Sequence, residues 1–286
     1  MKLSLLVFCS VITLSAFGAS FDVRLIINNG TVSLSGGTSV PGVTYSQNTN
    51  FSQSSDILVW TSGDDVNLRV VNFDINSHGF VIDGYANYGT ISPGDSIEQN
   101  IVLSSEGVFR YYDPMNSPYN EYMGLAGILH VKNQTDLTPY FYWDIREFQE
   151  AWNTSIDLGS SPTINTYDPE FFTINGNGNP DINLDPVARV TGNVGAEFRI
   201  VLMNNGLSIH SMHFHGYHLI IEDDSKTSIT IGREKDTFPL YPSEYMILSC
   251  TPDKEGEYPV HDHNLVAVTG GSEYATGMFT TMLIDP

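Results

Sequence analysis

An all-β chain of two Greek-key β-sandwich domains is what this sequence predicts, and three observations carry the reading. Short runs rich in Val, Ile, Phe and Tyr alternate with clusters of Gly, Asn, Asp, Ser and Pro, as at 23–27, 57–60, 66–73, 127–131, 197–203, 218–221 and 278–284. Apolar residues at helical spacing are scarce. The two halves also repeat one order of elements, which points to an internal duplication.

The 286 residues and 41% hydrophobic content allow two ordinary domains with real cores. At the N-terminus, Lys2 precedes a mainly apolar, uncharged run ending near Ala16-Phe17-Gly18. That pattern is a secretory signal over 1–18 and predicts a secreted or periplasmic protein. The run is short for a bilayer span and no other follows, so no stable membrane insertion is expected. Cleavage removes Cys9 and leaves Cys250, which has no partner for an internal disulfide. The net charge of -21 argues against nucleic acid or anionic membrane as partners and favours cations.

Along the chain, the first domain is expected at 19–135, a connection at 136–165 and the second domain at 166–286. Within the connection, residues 144–153 (DIREFQEAWN) have the composition of a helical turn or two. The first half then reads as the strand 66–73, a turn at Ser77-His78-Gly79-Phe80, a Gly-aromatic strand from Gly107 and a Gly/Met element from Met123. The second half reads as the strand 197–203, a turn at His215-Gly216-Tyr217, a Gly-aromatic strand from Gly256 and Gly277-Met278.

Histidine is the residue that carries chemistry. His210, His213, His215 and His218 fall within nine residues, and His261-Asp262-His263 follows later. Residues i and i+2 of a strand project to one face, so His213 pairs with His215 and His261 with His263. Two such pairs on neighbouring strands put four imidazoles around one cavity, a donor set suited to copper, zinc, iron or nickel. A lone H-x-H is more often a scattered surface feature; two in one domain favour a metal. His130 has no such company and reads as strand packing.

On these motifs the chain resembles the multicopper oxidases and copper nitrite reductases, a family of cupredoxin-like domains. The segment 172–176 resembles the opening of their last domain, His210-x-x-His213-x-His215-Gly216 resembles the H-x-x-H-x-H-G motif, and Tyr258-x-x-His261-Asp262-His263 resembles the final H-C-H segment. The resemblance implies two cupredoxin-like domains and copper as the cofactor. It carries His78, His213, His215, His261 and His263 over as metal ligands, with the Asn76-Ser77-His78 segment standing for the family's first H-x-H.

The departures from the family are as informative. The blue-copper cysteine is replaced by Asp262 in the second half and by Asp113 in the run Tyr111-Tyr112-Asp113 of the first, and a further blue-copper histidine by Ala267. A blue site needs a thiolate and two imidazoles. The expected function is therefore a copper oxidoreductase without type 1 copper, acting on O2 or a small molecule at a histidine cluster between domains. His213, His218 and Asp262 are the expected catalytic groups, the last two moving protons. The alternative is a non-catalytic copper store or carrier, or a purely structural cupredoxin. Because the resemblance splits the ligands between His78 and the second half, a homotrimer that pairs unlike domains across subunits is expected.

Overall fold

A computed structural model of the chain describes residues 18–286. The expected leader lies outside the described residues apart from Gly18. Strand makes up 48% and helix 11%, and the architecture is the all-β pair of sandwiches that the residue pattern predicts.

In the first sandwich a four-stranded sheet runs in the order Ser39–Ser46, Ser20–Ser33, Asp65–Asn72, Ser96–Val102. The second sheet runs Leu58–Thr61, Ala126–Lys132, Gly107–Tyr112, His78–Ile82, Ala86–Ile91. Alternation places Val66, Leu68 and Val70 inward against Phe80, Ile82, Tyr111 and Leu129, the two-residue period of a half-buried strand.

The other sandwich repeats this plan. Its six-stranded sheet runs Phe171–Ile174, Tyr140–Phe148, Phe198–Asn204, Tyr245–Cys250, Leu219–Asp224, Glu234–Lys235. The facing sheet runs Thr191–Asn193, Phe279–Asp285, Gly256–Asp262, His210–Phe214, Thr237–Leu240. Trp143 from one sheet stacks on Phe214 from the other, with centroids 5.6 Å apart. Each half opens with a parallel pair, ending at Ile27 opposite Asn72 in the first and at Ile145 opposite Asn204 in the second.

The expected helix at 144–153 is displaced. Tyr140–Phe148 is a strand, pairing with Phe171–Ile174 and Phe198–Asn204, and the helix occupies Glu150–Asp157. The stretch expected as a connection thus carries a central strand of the second sandwich. Its charged residues gave the misleading signal: Asp144, Arg146 and Glu147 are buried, each with polar partners inside. Arg146 donates to Glu121 O at 2.9 Å, to Ala126 O at 2.6 Å and to Asp144 Oδ2 at 2.9 Å. Those bonds tie the two sandwiches together beside an apolar seam of Val108, Ile128, Tyr142, Val201, Met203 and Ile247.

Candidate functional site

Four histidines gather on the outer face of the second sandwich, and the strand period puts them there. In His210–Phe214, residues 210, 212 and 214 are buried while His213 is half-buried, and His215 just beyond is exposed. In the neighbouring strand Asp262 is buried, while His261 and His263 face outward. The register sets His213 directly opposite His261. The His213 ring centroid lies 4.7 Å from that of His215, 5.5 Å from His261 and 5.5 Å from His263. His215 and His261 approach Nε2 to Nε2 at 3.0 Å.

Two of the four rings are held through Nδ1. His213 Nδ1 bonds Thr237 Oγ1 at 2.9 Å, and His261 Nδ1 bonds the Asp262 carbonyl at 2.9 Å. Burial, then the neighbouring charges of His213 and His261, push His215 below the ordinary histidine pKa, which favours the neutral, ligating form. As the rings stand, no three His, Cys, Asp or Glu groups among the described residues converge on one metal position. The donor chemistry fits a copper ion nonetheless: four imidazoles share one face, and two donors about 2 Å from one ion stand about 3 Å apart. His215 and His263 are the exposed members of the group.

His78 does not belong to this group. Its Nδ1 contacts Asp113 Oδ2 at 2.9 Å and its Nε2 contacts Asp74 Oδ2 at 2.8 Å, all three residues being buried. His210 has the same surroundings: Nδ1 to Asp262 Oδ2 at 2.6 Å and Nε2 to Glu147 Oε2 at 2.9 Å. Gly79 N and Ser211 N, each next after its histidine, donate to the other oxygen of Asp113 and Asp262 respectively. Six residues before each histidine, Asn72 and Asn204 bond Ile91 O and Leu240 O, whose residues pair with His78 and His210. His78 is therefore the counterpart of His210. Counting from these anchors, the counterparts of His213, His215, His261 and His263 are Val81, Asp83, Tyr112 and Pro114. His78, expected as a ligand, has both ring nitrogens on carboxylates of its own sandwich, and no histidine stands at those four counterpart positions.

The same geometry revises the thiolate positions. Asp262 lies on the inner side of its strand, its Oδ1 accepting from Ser211 N and Asn264 N and its Oδ2 facing His210. Its carboxylate ties the two adjacent strands together on their inner side. Burial opposes charge on His78 and His210, but the paired carboxylates outweigh it and lift both to about 9. Burial likewise works against ionised Glu147, yet its bond to His210 brings it down to about 2. Two histidine–carboxylate triads thus enclose Asp113 and Asp262, the residues that the resemblance aligns with thiolates. Cys250 is buried in another strand, with its thiol pushed up to about 11 by burial.

His218 is exposed at the edge of the cluster, near Asp236. His130 packs against Tyr140 and Tyr142 and bonds the Tyr142 hydroxyl at 3.0 Å, the structural part expected of it. Sequence reading missed Glu147 and Asp74, whose only signal was charge inside apolar strands or turns, and Thr237, which orients His213.

Residues 156–283 match the family model described as multicopper oxidase. Among solved structures, the chain is similar to a blue copper oxidase from Nitrosomonas europaea, at 20% identity and TM-score 0.79, covering 93% of this chain and 86% of that one. It is similar to a copper nitrite reductase from the same organism at 16% identity and TM-score 0.71, covering 93% and 94%. A laccase from Botrytis aclada matches at 16% identity and TM-score 0.69, with 53% of its chain covered. A search of curated proteins gives no match. The fold is thus that of the multicopper oxidases and copper nitrite reductases, and the second half carries the family's own sequence signature.

Proposed function

We propose that this protein binds copper at His213, His215, His261 and His263 and acts as an exported copper oxidoreductase that works without a type 1 copper. The observation that carries the reading is the approach of His215 and His261 at 3.0 Å within a group of four rings. Copper bound there would supply a redox centre with room for O2 or a small ligand. Thr237 and the Asp262 carbonyl orient two of the rings, and exposed His218 is placed to exchange protons with solvent. The leader-like N-terminus supports export, among the described residues no helix is long and apolar enough to cross a membrane, and the resemblance supports a homotrimer.

A second reading, a copper store or carrier, draws support from the openness of the site, since His215 and His263 are both exposed. Copper-loaded protein assayed with a phenol, ascorbate, nitrite and superoxide separates the two. Turnover above that of the His213→Ala, His261→Ala double variant supports the enzyme. Tight binding without turnover supports the carrier, and elemental analysis after native purification decides between copper and zinc.

A further inference from the structure

We infer that Glu147, His210 and Asp262 form a buried chain of positioning residues for the outer histidine cluster. The inference rests on the copper reading of that cluster. Asp262 stands between His261 and His263, so its backbone is common to both outward rings. Its Oδ1 accepts from Ser211 N at 3.1 Å, on the strand that carries His213, and from Asn264 N at 2.9 Å, directly after His263. One carboxylate therefore pins two adjacent strands, His210–Phe214 and Gly256–Asp262, in or next to which all four rings lie. His263 N adds a bond to Ser211 O at 2.8 Å, closing the same corner.

Asp262 is itself held. His210 Nδ1 meets its Oδ2 at 2.6 Å, and on the far side of that ring Nε2 meets Glu147 Oε2 at 2.9 Å. Glu147 Oε1 accepts from Leu207 N and Ser208 N at 2.6 Å each and from the Tyr167 hydroxyl at 2.8 Å. The chain so anchored runs from the strand Tyr140–Phe148 through the core to the inner side of the strand that carries His261. An imidazole fixed between two carboxylates cannot turn, and so Asp262 cannot turn either. Supporting groups of this kind fix ligand orientation, and their loss typically weakens metal binding by about 10–100-fold.

The first sandwich supplies an internal control. His78, Asp113 and Asp74 repeat the buried triad, and Asp113 likewise accepts from Gly79 N and Met115 N, but Val81 and Tyr112 stand where His213 and His261 would be. Loss of either triad should destabilise its own sandwich; only the second should disturb the cluster.

The test measures copper(II) affinity by competition with a chelator, and the EPR spectrum of the bound ion, in full-length His210→Gln, Asp262→Asn, His78→Gln and Asp113→Asn. The second-half variants should bind copper about 10–100-fold more weakly with altered copper hyperfine splitting. The first-half variants should match the wild type in both, whatever they lose in melting temperature. Equal effects from both pairs, or no effect from the second, overturn the inference. Glu147→Gln, farther from the cluster, replaces His210→Gln should that variant not fold, with the same direction expected. If the wild type takes up no copper, the functional reading fails, and histidine ring NMR of the metal-free protein still decides. The inference then requires the His261 and His263 signals to shift or broaden in His210→Gln and to stay unchanged in His78→Gln; shifts alike in both, or in neither, sink it.

Discussion

His215 and His261 face each other through Nε2 at 3.0 Å, across the strand order of a sheet whose other face is the apolar core of the second sandwich. His261 Nδ1 donates to the Asp262 carbonyl, which leaves its Nε2 an acceptor; the pair shares a proton in the metal-free protein and would share the ion when copper binds. Replacing His261 with Ala should weaken copper binding by more than about tenfold, as loss of a first ligand costs at least as much as loss of a supporting group. His78→Gln should leave it unchanged. Chelator competition on both variants checks the pair.

The blue-copper positions should stay colourless. With Asp262 and Asp113 in place of thiolates and Ala267 in place of a histidine, no Cu–thiolate charge transfer arises. Copper-loaded protein should lack an intense visible band, and absorption spectroscopy from 500 to 700 nm, roughly the range of blue sites, checks it.

Stability should fall on the alkaline side. His78 is raised from 6.5 to about 9 in the folded chain, so the stabilisation it draws from Asp74 and Asp113 is complete below pH 6.5 and lost as pH rises through 9. Asp74, lowered from 3.8, works in the opposite sense: its contribution is present above that value and lost as pH falls through its folded pKa. Chemical denaturation of the metal-free protein should give its highest stability between these limits. Between pH 6.5 and 9.5 the loss should be on the order of 1–3 kcal/mol per triad, and His78→Gln should remove the first sandwich's share.

Assembly should not depend on copper. The expected ring of three drew its metal dependence from His78, which is enclosed by Asp74 and Asp113 within its own sandwich. All four clustered rings come from the second half. Light scattering should give one mass, that of the trimer, with copper and after chelation; a monomer that trimerises only with copper would return a ligand to the subunit boundary.

Arg146 should be the most sensitive residue between the sandwiches. Its side chain is 2% exposed, and the guanidinium bonds two first-half carbonyls and Asp144. Arg146→Met removes the buried cation beside Asp144 and the side-chain donor to both carbonyls, at a cost of about 3–5 kcal/mol. Denaturant unfolding of the variant measures it.

The strand pattern was legible because strands with one buried face alternate, as Val66, Leu68 and Val70 do. The clustering of His213, His215, His261 and His263 was legible for the same reason, since the two-residue period alone aligns each pair. Tyr140–Phe148 was misread because Arg146 and Glu147 are satisfied by partners far away in sequence, which no local pattern encodes. His78 is expected as a ligand because its neighbours resemble a ligand motif, while its partner Asp113 lies 35 residues on, beyond any local pattern. Only register shows that Asn72, His78 and Asp113 repeat as Asn204, His210 and Asp262.

The central claim is that four second-half histidines bind copper, and a copper titration followed by EPR on wild type and on the His213→Ala, His261→Ala double variant tests it most directly. The wild type should take up copper stoichiometrically and show the wide hyperfine splitting of a non-blue site with nitrogen couplings from imidazole, and the double variant should show neither. No saturable uptake by the wild type, or the same uptake and spectrum in the double variant, would contradict it.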